Sequence, residues 1–449
     1  MAVDVVDKTA YNHAIKILLI AVGLGAFTDN YDSTILGASS FTLIPAMHVS
    51  IPQFGVLGSM SFLGGIFGAA SFGPLADRFG RKRTFLATLA IFAVAQVLMS
   101  LAQNYPELLI LRTMVGFGIG ADYAPAAVYL SELAPANRRG KYFGFFWILY
   151  GMGLVCAYIM GYGLLFLVGA LQWRVLFLTG AVPPILGIMV RSRIVESPRW
   201  YVDRGEIEKA KNAMQTLGLN PDDVLKYKTK ETTTARLSLI IPYILPVTIP
   251  LAIVSILSQT MTTGLSVFDP LIFSSLGVSQ INSLLFSGLT FGLPHILGAF
   301  VVYFVIDRIG RFKLYVWGLG LSALFMIASY FVASPNTIAP LLIIVSAANV
   351  TTYWFTALNQ TIAAELYPTK IRGVGQGINA GAFRSSGIVA SLVGAFLLVA
   401  FGAGAILLCY GVFGGIALLI VVFWVGSRRL RTEKRELEEI SQGFTRSQQ

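Results

Sequence analysis

Twelve apolar stretches, each long enough to cross a bilayer and separated by mostly short polar breaks, leave this 449-residue chain no water-soluble fold to adopt. They cover residues 14–44, 53–76, 83–103, 107–131, 141–168, 173–192, 241–276, 280–306, 313–333, 338–365, 374–400 and 402–427. Hydrocarbon offers no partner to an exposed amide, so each stretch must satisfy its backbone internally, as a helix. Only 12% of the residues are charged, about half the share expected of a soluble domain. Residues 1–8 are mixed in charge and the first apolar run outlasts a signal's, so no cleavable signal is expected.

The formal net charge of +11 has a simple cause in the short loops. Arg78, Arg81, Lys82 and Arg83 fall in one, Arg138, Arg139 and Lys141 in the next of the same set. Arg308, Arg311 and Lys313, then Lys370 and Arg372, continue the set. The alternate loops, near 45–52, 104–106, 169–172, 277–280, 334–339 and 401–404, hold no Lys or Arg. The positive-inside rule therefore predicts that the basic loops and both termini are cytoplasmic, in a plasma membrane. Topology accounts for the charge, and no nucleic-acid partner is expected. Cys156 and Cys409 lie singly inside apolar runs, which predicts packing residues and no disulfide.

Two motifs recur at nearly one spacing. Gly73-Pro-Leu-Ala-Asp77-Arg78-Phe-Gly80-Arg81-Lys82 returns in degraded form as Val305-Ile-Asp307-Arg308-Ile-Gly310-Arg311-Phe-Lys313, 230 residues on. Ser131-Glu132-Leu-Ala-Pro135-Ala-Asn-Arg-Arg139-Gly140 returns as Ala364-Glu365-Leu-Tyr-Pro368-Thr-Lys-Ile-Arg372-Gly373, 233 residues on. The chain therefore reads as two parallel repeats of six spans: an all-α membrane protein with bundles at 1–192 and 241–427. A cytoplasmic linker (193–240) joins them and a tail (428–449) follows. Within the linker, Ser197-Pro198 is a helix start, predicting an amphipathic surface helix over 200–217. Parallel repeats of this kind place a solute site near the midplane between halves that rock to expose it alternately.

These motifs resemble the major facilitator superfamily, in its broad sugar-transporter-like branch of sugar, phosphate, organic-acid and organic-ion porters. The resemblance rests on Tyr31-Asp32-Ser-Thr-Ile-Leu-Gly37, the 73–83 loop, Arg112 with Gly116 and Gly120, residues 131–140, Glu196-Ser-Pro-Arg-Trp200 and residues 365–373. It covers essentially the whole chain. It implies a transporter that acts as a monomer on a small molecule or ion, with protons as the coupling ion and no other cofactor.

Charged groups inside a bilayer cost several kcal/mol unless paired or hydrated, so each is a functional candidate. Asp29 and Asp32 stand one turn apart on a single face of the first span. Asp32 and Arg112 match in position the family's proton-binding aspartate and its arginine partner; a fixed pair joining two spans is the plainer alternative. Asp29, Asp122 with Tyr123, and Asp269 resemble the carboxylates of proton-coupled phosphate porters, where a cation also stands near Arg384. Tyr150, Leu265 and Phe273 depart from that pattern. Gln259, Thr263, Asn359 and Gln360 suit sugar hydroxyls, yet the fifth span presents Trp147 and Tyr150 where sugar porters carry glutamine. A midplane Arg384 tilts the expectation toward a small anion over a sugar, unless an aspartate neutralises it. His295, after Pro294, reads as a packing histidine.

At the cytoplasmic face, Gly73, Asp77, Arg78, Gly80, Arg81, Glu132 and Arg139 are expected to form a charged latch. Asp307, Arg311, Glu365 and Arg372 are its second copy. The chain holds no nucleophile–base set, metal cluster or nucleotide loop, so no enzyme is expected. The reading that results is a proton-coupled symporter, with an exporter or a solute-sensing receptor as alternatives.

Overall fold

The computed structural model describes residues 6–133, 139–227, 241–367 and 371–428. Within the helices, the side chains of Asp77, Tyr123, Glu132, Arg139, Asp307, Gln360, Glu365 and Arg372, with Gly73, lie outside the described set.

Among the described residues the fold is all-helical, with twelve spans. Spans 1 to 5 are Lys8–Ala46, Ile51–Phe79, Arg81–Ser100, Tyr105–Leu133 and Arg139–Val168. Span 6 is broken at Ala181 into Gln172–Gly180 and Val182–Arg191, where Pro183 and Pro184 begin the second piece. Span 7 starts at Ile241–Tyr243, passes through a π turn at Ile244–Thr248, and continues as Ile249–Ser275. Span 8 has the same design: Gln280–Ser287, a π turn at Gly288–Gly292, then Leu293–Ile309. Spans 9 to 12 are Arg311–Phe331, Ile338–Leu366, Arg372–Phe401 and Ala403–Arg428.

Packing repeats with the sequence. In the first half, span 1 packs on 5, 2 on 4, and 3 on 4 and 6; in the second, 7 packs on 11, 8 on 10, and 9 on 10 and 12. The halves meet through spans 1 and 7, 2 and 11, and 5 and 8. The repeated loops also share a backbone device. Gly80 (φ 97°) and Gly310 (φ 91°) turn spans 2 into 3 and 8 into 9 in a conformation that a side chain resists.

Small residues set the closest approaches, as lipid supplies no hydrophobic drive between helices. A Cβ on Gly116 would stand 1.8 Å from the Ser61 carbonyl oxygen of span 2, and one on Gly120 1.9 Å from that of Gly65. Gly64 and Gly68 answer from span 2, facing the carbonyls of Thr113 and Phe117 at 2.0 and 2.1 Å. Gly118, on the other side of span 4, meets Phe92 of span 3. One glycine stripe thus serves two neighbours.

The linker departs from expectation. Gly205 (φ 77°) divides the single expected helix into Pro198–Asp203 and Ile207–Thr216. Val202, Ala210, Met214, Leu217, Leu219 and Val224 bury themselves against Tyr11, Ile15 and Leu18 of span 1 and Phe85 of span 3. The Gly218 carbonyl accepts from the amides of Val6 and Asp7 at 3.0 and 3.1 Å. This part of the linker is fastened to the first bundle rather than laid on lipid.

Replacing Gly116 by Val drives a side chain into backbone that cannot retreat. A loss of about 3 kcal/mol or more is expected, at the upper end of overpacking costs. Thermal melting in detergent measures it, against Gly163→Val, where a new Cβ meets nothing within 4 Å.

Candidate functional site

Among the described residues, three buried ion pairs tie the helices together. In the first, Arg112 Nη1 of span 4 donates to Asp32 Oδ1 at 2.7 Å and its Nη2 to the Asp32 carbonyl at 3.1 Å. Gln96 of span 3 also donates to Asp32 Oδ1, and Ser61 of span 2 lies 3.5 Å from Oδ2. Asp32 is fully buried, and side chains from three other spans converge on its carboxylate. A buried carboxylate needs such partners, because desolvation costs more than one weak contact returns.

The second pair was not foreseen. Arg191, at the end of span 6, grips both oxygens of Asp122 and donates through Nε and Nη2 to the Ala21 carbonyl at 3.2 and 2.9 Å. Its guanidinium also lies over the Phe85 ring, 4.6 Å from the centroid. Asp122, grouped from the sequence with the coupling residues, is therefore taken up by an arginine that ties spans 1, 4 and 6 together. The sign was present in the sequence: Arg191 lies within the sixth apolar run, 173–192, as one more charged group inside a span.

The third pair crosses between the halves. Arg384 of span 11 donates from Nη1 and Nη2 to the two oxygens of Asp29 of span 1, each at 3.1 Å. Arg384 stands 12 residues into its span, about 18 Å from that end by helical rise. A narrow cavity adjoins it, lined by Asn30, Ser33, Phe62, Tyr150, Thr262, Thr263, Ser266, Phe291 and Phe383. Its volume of ≈ 10 Å³ is about that needed for one water.

Of the expected solute-binding residues, Arg384, Tyr150 and Thr263 line this cavity. Gln259 and Asn359 instead belong to a polar cluster inside the second half. Gln259 Oε1 accepts from Thr356 at 3.2 Å, and Asn359 exchanges hydrogen bonds with Ser255. Trp147 stacks edge-on against Tyr150 and against Tyr353 of span 10, whose hydroxyl donates to the Trp147 carbonyl at 2.9 Å. It braces the two halves. Asp269 also lies off the cavity, 1% exposed, with Thr290 Oγ1 3.4 Å from Oδ2. Among the described residues no cation pairs with it. His295 packs as expected, its Nδ1 2.7 Å from the Phe291 carbonyl.

The interface between halves is tight toward the end remote from the basic loops. There a Cβ on Gly37 would meet the Ser266 carbonyl at 2.6 Å, one on Gly55 the Ser391 carbonyl at 2.6 Å, and Phe54 meets Phe268 edge to face. Toward the basic end, Gly377 and Gly381 share the face of Arg384, yet a Cβ on either meets nothing within 4 Å.

At that end, Glu196 caps span 3. Its carboxylate accepts from the amides of Arg81 and Lys82 at 2.9 and 3.1 Å, where unpaired N–H groups and the helix dipole favour an anion. A Cβ on Gly80 would reach 2.5 Å from Glu196 Oε2, so the turn needs glycine for space as well as for φ. Arg81 donates to Ser197 at 2.9 Å, and the Arg78 carbonyl accepts from Arg204. These described members of the expected latch tie spans 2 and 3 to the linker of the same half. Arg311, in the second copy, is exposed.

Comparison with known proteins agrees with this architecture. The model of the family "Sugar (and other) transporter" matches residues 19–444. The chain belongs to this family. Across it, the glucose transporter GlcP of Staphylococcus epidermidis is 26% identical, over 95% of this chain and 96% of that protein. The niacin transporter NiaP of Acinetobacter baylyi is 27% identical, over 85% of this chain and 87% of that one. Among solved structures, the proton:xylose symporter XylE of E. coli superposes with a TM-score of 0.76 at 22% identity, over 96% and 99% of the two chains. That likeness is one of fold. The chain is thus a membrane transporter of the major facilitator type and not an enzyme.

Arg191→Gln leaves Asp122 buried without its cation, and a loss of about 3–5 kcal/mol is expected. The double change Asp122→Asn with Arg191→Gln removes both charges and regains most of it. Melting of the two variants in detergent tests this.

Proposed function

We propose that the chain is a proton-coupled symporter of a small polar solute, working by alternating access, with Asp32 as the carrier of the coupling proton. The observation that carries this reading is the convergence of Arg112, Gln96 and Ser61 on one fully buried carboxylate. A proton on Asp32 cancels the charge that Arg112 holds. Proton binding and release therefore change what joins spans 1 and 4. No cofactor beyond the proton enters the cycle.

With the basic end in the cytoplasm of a plasma membrane, the packed far half and the looser span 11 describe a carrier closed outward. A proton entering through ~100 mV releases about 2.3 kcal/mol, and each pH unit adds about 1.4. Since 1.4 kcal/mol corresponds to tenfold, one proton supports accumulation of tens of fold.

Two solute classes have support. The hydroxyls of Ser33, Thr262, Thr263 and Ser266 suit a neutral sugar, the class named in the relative GlcP and the neighbour XylE. Arg384 suits an acid, and the relative NiaP is named for one. The charge of Arg384 by itself no longer argues for an anion, because Asp29 neutralises it.

Asp32→Asn is expected to abolish uphill uptake, lowering accumulation in proteoliposomes with an imposed proton gradient from tens of fold to about one. Exchange of labelled for unlabelled solute should persist. Retention of full gradient-driven accumulation by the variant would remove Asp32 from the coupling role.

A further inference from the structure

We infer that Asp269 anchors a binding site for one monovalent cation of sodium's size, completed by hydroxyls of spans 5 and 8, and that the bound ion links the two halves at the end remote from the basic loops. The site goes beyond the symport reading and does not rest on it.

Asp269 is buried, and among the described residues no Lys, Arg or His pairs with it. Its one hydrogen-bond contact among them is Thr290 Oγ1, 3.4 Å from Oδ2. That hydroxyl has a single proton, and the Phe286 carbonyl accepts it at 2.8 Å. Thr290 thus turns a lone pair toward a carboxylate oxygen. Ser287 Oγ stands beside both the Asp269 carboxylate and the Tyr158 hydroxyl. Both hydroxyls are fully buried, yet among the described residues neither makes a hydrogen bond of ordinary geometry. A carboxylate among unanswered oxygens is costly in hydrocarbon unless a positive charge sits between them.

A proton on Asp269 would cancel the charge, but it needs an acceptor at about 2.5–3.0 Å. No oxygen of the described residues bonds to Asp269 so closely. The spacing fits a small ion instead. Calcium holds oxygen ligands at about 2.4 Å, sodium has nearly the same radius, and two ligands at right angles around such an ion lie about 3.4 Å apart. Thr290 Oγ1 and Asp269 Oδ2 have that separation. Charge decides between the two ions. One carboxylate balances sodium, whereas calcium leaves a positive charge buried and unpaired. Potassium asks for a wider ring.

The backbone of span 8 assembles the ligands. The π turn Gly288–Gly292 follows Ser287 directly and contains Thr290, widening the helix where these hydroxyls meet Asp269. Asn349 of span 10 pins the turn, donating through Nδ2 to the Thr290 carbonyl at 2.8 Å. Span 5 passes close to the same turn: a Cβ on Gly288 would lie 3.4 Å from Tyr158 Cβ, and one on Gly292 3.0 Å from Val155. Tyr158 belongs to the first half, and Asp269, Ser287 and Thr290 to the second. An ion held by all four is therefore a bond across the seam, beside Phe268 where it packs on Phe54. When the seam parts at that end, the ion returns to the solution it came from. It is not carried across, and the proton remains the coupling ion. Its effect is to favour the form closed at that end.

The full-length protein in detergent tests this, with radiolabelled sodium and the chlorides of sodium, potassium, calcium and choline as probes. One labelled sodium should bind per chain, displaced by unlabelled sodium and not by potassium or choline. Replacing potassium by sodium at ~100 mM should raise the melting temperature by about 3 °C, as for an ion present well above its Kd. Asp269→Asn should abolish the binding. Tyr158→Phe and Ser287→Ala should each weaken it about tenfold or more. In potassium both variants should melt no lower than the unaltered chain, because the hydroxyls they remove have no partner there. Equal losses of stability in the two salts would mark a purely structural role and overturn the site. Absence of sodium binding, or binding untouched by Asp269→Asn, overturns it as well. Tighter binding of calcium than of sodium overturns the monovalent assignment, and binding that Tyr158→Phe leaves intact overturns the link across the seam.

Discussion

Charge that cannot reach water has to be answered by charge, and in this transporter that requirement ties the helices to one another at its centre. Asp32 with Arg112 joins spans 1 and 4, Asp122 with Arg191 adds span 6, and Asp29 with Arg384 joins one half to the other. In a medium without competing solvent each pair is a constraint on position as well as an energy. Two of the three lie wholly within the first bundle and move with it. The third lies across the interface, so any separation of the halves along that seam has to break it.

The rest of the architecture lets that event happen without unfolding. Glycines bring spans 2 and 4 within backbone contact, which makes the first half a stiff body. The linker helices bury their apolar faces on spans 1 and 3 and travel with the same body. Glu196 fixes the start of span 3 from the linker side. What remains adjustable is the seam formed by spans 1 and 7, 2 and 11, and 5 and 8. It is packed at one end and looser along span 11 at the other.

Much of this was legible in the chain. The apolar runs determined the number of helices and where each one lies in the chain, because length and hydropathy act locally. The 230- and 233-residue repeats determined the two-half plan, and the pairing of spans then repeats with it. Asp32 and Arg112, singled out together through the family resemblance, do meet as an ion pair. The expected helix over 200–217 did not hold as one piece, because Gly205 takes a positive φ that amphipathic periodicity does not register.

Which acid finds which base was a question only the tertiary structure could decide. Arg191 reads in the sequence as one more charge inside the sixth apolar run, and only the packing of span 6 against spans 1 and 4 delivers it to Asp122. Asp29 and Arg384 are 355 residues apart, and no local pattern predicts that they meet. Gln96 is one amide in an apolar run, and its worth comes from the carboxylate that span 3 brings beside it. Composition and periodicity therefore determined a transporter's scaffold, since these act within a helix. The site depends on side chains from different helices converging, and that is settled by how the twelve pack.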